Sequence, residues 1–261
     1  MRDEIDAASA YEQCFVPALF HEWAPRVVTA ARLEPGQRVL DVACGTGVLA
    51  REAASRVGGA DLVAGLDANS GMVTVASRLE PRVRWRTGIA EALPFPDASF
   101  DAVLSQFGLM FFSDRTRALQ EMLRVLAPGG RLAVAVWDSV VNIPAYAAEV
   151  ELLQRVAGAS AADAVRAPFV LGDPKGLAAL FAGAGVANID IRTEVGTARF
   201  PSLRAMVEAD LRGWLPVLGI LLSEEEIARV LAHAPGMLGK FVAADGTVQF
   251  ETRAHIVTGT T

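Results

Sequence analysis

The feature that most restricts this chain is the run Val39-Leu40-Asp41-Val42-Ala43-Cys44-Gly45-Thr46-Gly47-Val48-Leu49-Ala50. A short apolar strand passes through a string of small residues directly into a helical pattern. Small residues at such a turn let the backbone approach a bound molecule closely. Residues 45–50 also satisfy the dinucleotide fingerprint, which accepts Ala at its last position. Asp67 follows about twenty residues later, at the end of the next strand, where a carboxylate accepts ribose hydroxyl protons. That arrangement serves any adenosine-type ribose.

The pattern around the loop repeats strand and helix. Strands are expected at 38–42, 61–67, 82–86, 100–105 and 131–137, and helices at 48–57, 70–79 and from Ser113 or Asp114 to Leu126. Pro128-Gly129-Gly130 is read as the stop of the last helix. The nearly unbroken apolar run to Trp137 is typical of a strand covered on both faces. Such alternation predicts an α/β fold with a doubly wound, mostly parallel, seven-stranded sheet. Ligands in these sheets sit at the carboxyl edge of the strands. Later in the chain, 142–156 and 173–184 read as helices and 187–195 as a strand. Two or three helices over 201–240 precede a last strand at 250–257 and form a helical cap insertion. Residues 7–32 read as helical, with Pro17 and Pro25 as breaks or starts.

Composition narrows the class. Of 261 residues, 52% are apolar and 21% charged, enough for a full core, and the net charge is −6. No Lys/Arg run offers a grip on a phosphate backbone, so no nucleic-acid partner is expected. No apolar stretch is long enough to span a membrane. The acidic opening Met1-Arg2-Asp3-Glu4 does not resemble a signal peptide, and Cys14 and Cys44 form no CxxC pair. The expectation is a cytoplasmic protein, monomer or homodimer, with no metal site. Its single domain over 1–261 divides into an N-terminal helical lid (1–32), a cofactor-binding core (35–137) and cap segments at 138–172 and 200–245.

Asp41 separates the cofactors. It stands just before the glycines, where a dinucleotide would place its anionic pyrophosphate. S-adenosylmethionine carries a sulfonium and an ammonium and no phosphate, so an acidic residue there favours it, directly or by fixing the loop's N–H groups. The rival reading is an NAD(P)- or flavin-dependent oxidoreductase on the same sheet.

Taken with the segments that follow, the loop resembles motif I of the class I S-adenosylmethionine-dependent methyltransferases. Gly65-Leu66-Asp67-Ala68-Asn69-Ser70-Gly71-Met72 is similar to their acidic ribose loop. Residues 88–101, from Gly88-Ile89-Ala90-Glu91 to Phe100-Asp101, resemble the adenine loop and fourth strand of the ubiquinone/menaquinone-biosynthesis-like (methyltransferase type 11) subgroup. Arg124-Val125-Leu126-Ala127-Pro128-Gly129-Gly130 resembles that subgroup's entry into the fifth strand. The resemblance covers residues 35–137 and implies the Rossmann-like methyltransferase fold. It also implies that Gly45 and Gly47 line the methionine part of S-adenosylmethionine and Asp67 binds the ribose. Ala68 and Met72 then lie against the adenine, Ala90 offers its N–H to the ring, and Gln106 contributes backbone near the methionyl amine. Two departures stand out. Ala43 replaces a frequent Gly and narrows the loop. Ile89 replaces a common Asp, which leaves Glu91 or a backbone carbonyl to meet the adenine amine.

The implied activity is methyl transfer to a small organic acceptor by in-line displacement, with S-adenosylhomocysteine as product. The donor is already activated, so the protein mainly aligns the acceptor and excludes water. A base is needed only if the acceptor must lose a proton. Tyr11, His21 and Asp138 are the candidates for such a role. His233 and His255 read as structural or surface residues. Phe15, Phe107, Met110, Trp137, Asn142, Phe169 and Trp214 are candidates for the acceptor pocket, and an apolar or aromatic acceptor follows if they line it. A further alternative is an enzyme that binds S-adenosylmethionine but catalyses a non-methylating reaction.

Overall fold

A computed structural model describes residues 2–261 of the chain. Its centre is one seven-stranded sheet with strands β1 (Val39–Val42), β2 (Val63–Asp67), β3 (Arg84–Thr87), β4 (Phe100–Gln106), β5 (Leu126–Trp137), β6 (Ala187–Phe200) and β7 (Val248–Thr260). The spatial order is β3-β2-β1-β4-β5-β7-β6. The first five strands are parallel, and β7 runs antiparallel to both β5 and β6. The order reverses between β1 and β4, so a crevice opens beyond their carboxyl ends. β1 and the second half of β5, from Leu132 to Trp137, are wholly buried, as both-face coverage requires.

Before the sheet come α1 (Arg2–Phe15) and α2 (Ala24–Ala30), and α3 (Val48–Val57), α4 (Ser70–Leu79) and α5 (Arg115–Val125) alternate with the first five strands. α6 (Pro144–Val156), α7 (Ala159–Arg166) and α8 (Pro174–Gly183) follow β5. α9 (Leu203–Glu208), α10 (Leu215–Val217) and α11 (Glu224–Leu238) lie between β6 and β7. Caps written in the sequence set several helix starts. The Asn69 side chain accepts the Gly71 and Met72 amides, Asp114 the Arg117 amide, and Asp173 those of Lys175 and Gly176. Ser223 and Glu226 form a reciprocal capping box on α11.

Wide turns mark the helix breaks, and the end of α5 and the ends of β6 and β7 differ from the sequence expectation. The N-terminal helix is two helices, separated by a wide, π-type turn at Val16–Phe20 that contains Pro17. The ring of Pro17 removes a donor, which a wider turn tolerates. Pro128-Gly129-Gly130 does not stop α5, which already ends at Val125; these residues bulge within β5, where the register to β4 shifts between Phe100 and Ala102. β6 and β7 run on to Phe200 and back to Val248, pairing along their whole length as a long ribbon. The second wide turn, Ala209–Trp214, lies inside the cap and joins α9 to α10.

Candidate functional site

A cavity of about 420 Å³ opens at the carboxyl edge of β1, β2, β4 and β5. Its two halves differ in chemistry. One half is built from the strand ends and carries Ala43, Gly45, Asp67, Ala68, Met72 and Ala90. The other is walled by rings and aliphatic groups, among them Trp137, Phe169, Trp214 and Leu218.

In the first half, Asp67 is the organising group. One of its oxygens accepts the Gly45 amide at 2.8 Å and the other the Asn69 amide at 2.9 Å. Burial pushes its pKa up, and the backbone donors at Asn69, Gly45 and Ala68 oppose that effect. The carboxylate thus fixes the glycine loop to the end of β2 and still faces the cavity.

Asp41 behaves otherwise. It does not line the cavity, is 1% exposed, and neither of its oxygens has a hydrogen-bonding partner. Burial holds its pKa well above the ordinary carboxylate range. The Ala50 N–H favours the charged form but falls short of hydrogen-bonding geometry. Tethering the loop is therefore the work of Asp67, and Asp41 lies beneath it. Gly47 is also turned away. It has φ +88° and caps α3, and a Cβ there would overlap the Trp85 ring. Its role is to let the indole pack under the loop, a position closed to other residues.

Ala43 and Phe107, at the ends of β1 and β4, both have φ +57°. Left-handed backbone at a non-glycine residue is costly and concentrates at functional sites. Here the two residues share the cavity wall, and Phe107 stacks on Trp137 at 3.8 Å with rings 5° from parallel.

α1 closes the cavity. Its Tyr11 ring lies over Gly45, and Glu12 clamps the loop by accepting the Thr46 hydroxyl and pairing with Arg51 at 2.8 Å. Arg51 also donates to the Thr46 carbonyl at 2.6 Å. Farther along, Gly71 at the start of α4 lets the α1 backbone at Glu4 pass in contact, where a side chain would collide. The Tyr11 phenol is pushed above its ordinary range, first by burial and then by the charges of Asp67 and Glu12. It remains a neutral donor at the cavity wall. Rings continue from it in a chain: Tyr11 on Phe20 at 5.3 Å, Phe20 to Trp137 at 6.3 Å, Trp137 to Phe169 at 6.5 Å and Phe169 to Tyr146 at 5.3 Å.

Of the sequence candidates, Tyr11, Phe15, Ala43, Gly45, Asp67, Ala68, Met72, Ala90, Glu91, Gln106, Phe107, Trp137, Phe169 and Trp214 converge on the cavity. Six do not: Asp41, Gly47, His21, Met110, Asp138 and Asn142. His21 is exposed just after the first wide turn. Met110 is 3% exposed and packed into the core, because the short turn Leu109–Phe111 points Phe111 to the cavity instead. Asp138 is held by structure: it accepts from the Ser139 amide at 2.7 Å and the Asn142 amide group at 3.0 Å, and pairs with Arg253 at 3.3 Å. Asn142 is spent on that contact. His255, read as structural, lies 3.4 Å from Asp138 and bonds Thr193 and the Gly172 carbonyl.

Glu91 reaches the cavity, but one oxygen accepts the Ser113 and Asp114 amides at 2.8 and 3.2 Å. Only its other oxygen is left for a nucleobase amine. Ile89 stands at the same wall, 54% exposed. Gln106 directs its side-chain amide to the Phe20 carbonyl at 3.1 Å, tying β4 to the turn after α1.

The sequence reading passed over Phe20, Tyr146 and, above all, Asp210, which line the cavity together with Phe111. Asp210 sits in the wide turn Ala209–Trp214 with Glu149 of α6 beside it, and both are buried. The available signal was a charge on an apolar stripe. Glu149 follows the buried Tyr146 and precedes Val150 and Leu153 at helical spacing, and Asp210 continues Met206 and Val207.

The comparisons with known proteins agree with this geometry. Residues 40–134 match the family described as "Methyltransferase domain". A demethylmenaquinone methyltransferase of Renibacterium salmoninarum is 45% identical over 133 residues, which are 51% of this chain and 55% of the relative. The chain thus spans about half the length of the curated relatives it matches. Among solved structures, the YcgJ protein of Bacillus subtilis superposes with a TM-score of 0.59 at 22% identity, covering 92% of this chain and 97% of that one. A phosphoethanolamine N-methyltransferase of Haemonchus contortus, solved with S-adenosylhomocysteine, gives 0.59 at 17% identity over 97% of this chain and 56% of that one. These likenesses establish the fold, and the sequence match establishes the relationship of the core. Residues 40–134 are thus similar in sequence to the methyltransferase domain family and, within it, to methyltransferases named for demethylmenaquinone and ubiquinone/menaquinone biosynthesis.

Proposed function

We propose that the protein transfers the methyl group of S-adenosylmethionine to a small, largely apolar or aromatic organic acceptor by in-line displacement. The observation that carries this reading is the two-part cavity, with a carboxylate-organised half at the strand ends and a ring-walled half beside it. The residues present fit S-adenosylmethionine. Asp67 faces the cavity with lone pairs beyond its two amide bonds, as a ribose diol requires. Met72, Ala68 and Ile89 offer an apolar slot for a flat base. A cation bound at the loop would draw the buried, unpartnered Asp41 toward its charged form, whereas a pyrophosphate would oppose that ionisation. When bound, the molecule supplies a methyl group already activated on a sulfonium.

The chain's own residues then bind, orient and exclude water. In this reading residues 2–32 act as the lid, with Tyr11 and Phe15 closing the cavity over Gly45. Segments 138–172 and 200–245 form the acceptor cap, and Phe107, Trp137, Phe169 and Trp214 bound its room. Water exclusion by such walls protects an activated donor and strengthens every polar contact inside. The curated relatives are named for quinone-type substrates, and a flat ring suits walls of this kind.

Calorimetry with S-adenosylhomocysteine and with NADH tests the donor half: heat with the first and none with the second is the expected result, and the reverse overturns the reading. Formation of S-adenosylhomocysteine together with a methylated product, across a panel of aromatic acceptors, tests the transfer. Product altered without loss of the donor's methyl group would reassign the protein to non-methylating chemistry.

A further inference from the structure

The ring-walled half of the cavity contains an unexplained acidic group. Asp210 reaches the cavity wall, yet it is 4% exposed and its Oδ2 has no hydrogen-bonding partner. Behind it, Glu149 is completely buried, with neither carboxyl oxygen partnered. An isolated buried carboxylate costs several kcal/mol, on the order of the whole stability of a domain if two stand together unpaired. Ionised, the two have only acceptors to offer each other. With one proton between them, one acid donates to the other carboxylate, and the pair is satisfied internally.

We propose that Asp210 is the group that takes a proton from a hydroxyl of the acceptor, with Glu149 as the positioning residue behind it. This rests on the methyltransferase reading above. The step is a proton transfer: the acceptor's O–H bond breaks, its electron pair stays on oxygen, and the proton goes to a carboxylate oxygen of Asp210. The oxyanion, or a ring carbon made electron-rich by it, is then the nucleophile. A thioether, an ether or a plain hydrocarbon would leave the Asp210 lone pairs unanswered.

The surroundings suit this task. Burial and Asp210 together hold the Glu149 carboxyl well above its ordinary range. Burial pushes Asp210 up to about 7. A base tuned near neutrality is effective at ordinary pH. Tyr146 of α6 is the other titratable group coupled to the pair, and it stays protonated because burial and the two acids raise it. Among the described residues, no cation contributes to the charge balance of either acid. The walls beside Asp210, Phe169 and Trp214 with Val217 and Leu218, hold an apolar ring rather than a hydrated ion. Trp214 is itself fixed by its Nε1–H to the Ala164 carbonyl at 2.9 Å, which keeps the turn carrying Asp210 in place.

The test uses the full chain saturated with S-adenosylhomocysteine and three probes: 2-naphthol, 2-methoxynaphthalene and 2-naphthylmethylamine. Calorimetry first establishes that S-adenosylhomocysteine binds; if it does not, the methyltransferase reading fails before the acid pair is at issue. With it bound, 2-naphthol is expected to bind about tenfold more tightly than 2-methoxynaphthalene, the worth of one hydrogen bond to a carboxylate. D210N is expected to abolish that preference. E149Q is expected to retain it but to move its pH dependence, and the carboxyl infrared band that titrates near neutrality in the wild type should shift in E149Q and vanish in D210N. Circular dichroism verifies folding, and E149Q carries the test alone if D210N does not fold. Equal binding of naphthol and its methyl ether, no binding of naphthol, tighter binding of the ammonium probe, or an infrared titration unaffected by either variant overturns the proposal.

Discussion

Asp67 Oδ2 accepts the Gly45 amide at 2.8 Å, so the carboxylate that faces the cavity also sets the shape of the glycine loop. Asp67→Ala therefore removes two contributions at once, the ribose acceptor and the loop tether. Charge-assisted hydrogen bonds are worth about 1.5–3 kcal/mol each. The variant is expected to bind S-adenosylhomocysteine about 100-fold more weakly by calorimetry while still unfolding cooperatively. A change of less than about threefold would show that the donor nucleoside does not lean on this residue.

Two substitutions in the same loop should act in opposite directions. Ala43 holds φ +57°, and the glycine it replaces in the family pattern would carry no penalty there. Ala43→Gly is expected to raise stability by about 1 kcal/mol in urea unfolding. Gly47 holds φ +88° and faces the Trp85 ring without room for a Cβ. Gly47→Ala is expected to lower stability by about 2–4 kcal/mol, from backbone strain and overpacking together. Equal effects of the two changes would mean that the loop relaxes more freely than its contacts imply.

The clamp between Glu12, Thr46 and Arg51 fastens α1 over the cavity. Arg51 and Glu12 are 28% and 21% exposed in their side chains, so the ion pair itself is worth about 1 kcal/mol or less. Arg51→Ala also orphans the Thr46 carbonyl and frees the helix. Stopped-flow dissociation of S-adenosylhomocysteine should accelerate about three- to tenfold, with a smaller change in association. An unaltered off-rate would show that α1 does not gate exit.

The acid pair should leave its mark on stability as a function of pH. Burial raises Asp210 to about 7 in the folded protein, against about 3.8 for an ordinary aspartate. The folded state keeps this proton over a range where the unfolded chain has lost it. The resulting stabilisation is complete below pH 3.8 and is lost as pH rises through about 7. Asp210→Asn should flatten that decline and be at least as stable as the wild type at about pH 8, read from urea midpoints. A steeper decline in the variant would contradict the assignment.

The core was legible because its rules are local. The helices at Val48–Val57 and Ser70–Leu79 fall where periodicity placed them, with Asn69 as a readable cap. Asp67 was legible as a cavity residue from its position at a strand end. For Asp41, spacing gave nearness to the loop but not depth: the residue is 1% exposed and does not line the cavity. Met110 and Phe111 show the same limit: within one short turn, adjacent residues face core and cavity, and no period of two or 3.6 applies. Asn142 and Asp138 were plausible pocket residues until each proved to satisfy the other. Glu149 and Asp210 come together only in three dimensions, from α6 and from a wide turn between α9 and α10. Sequence distance hid the pair, although each acid interrupts an apolar stripe.

The cap between β6 and β7 departs from Phe200 and returns at Val248, and those two residues are cross-strand partners. To the sheet, the whole excursion is therefore equivalent to a hairpin tip. It can be lengthened, shortened or exchanged without altering the spacing of its two attachment points. Asp210 and Trp214 ride on that removable piece, while Gly45 and Asp67 belong to the permanent frame. Chimeras that swap residues 201–247 among relatives offer a direct route to changed acceptor preference with an untouched nucleoside site.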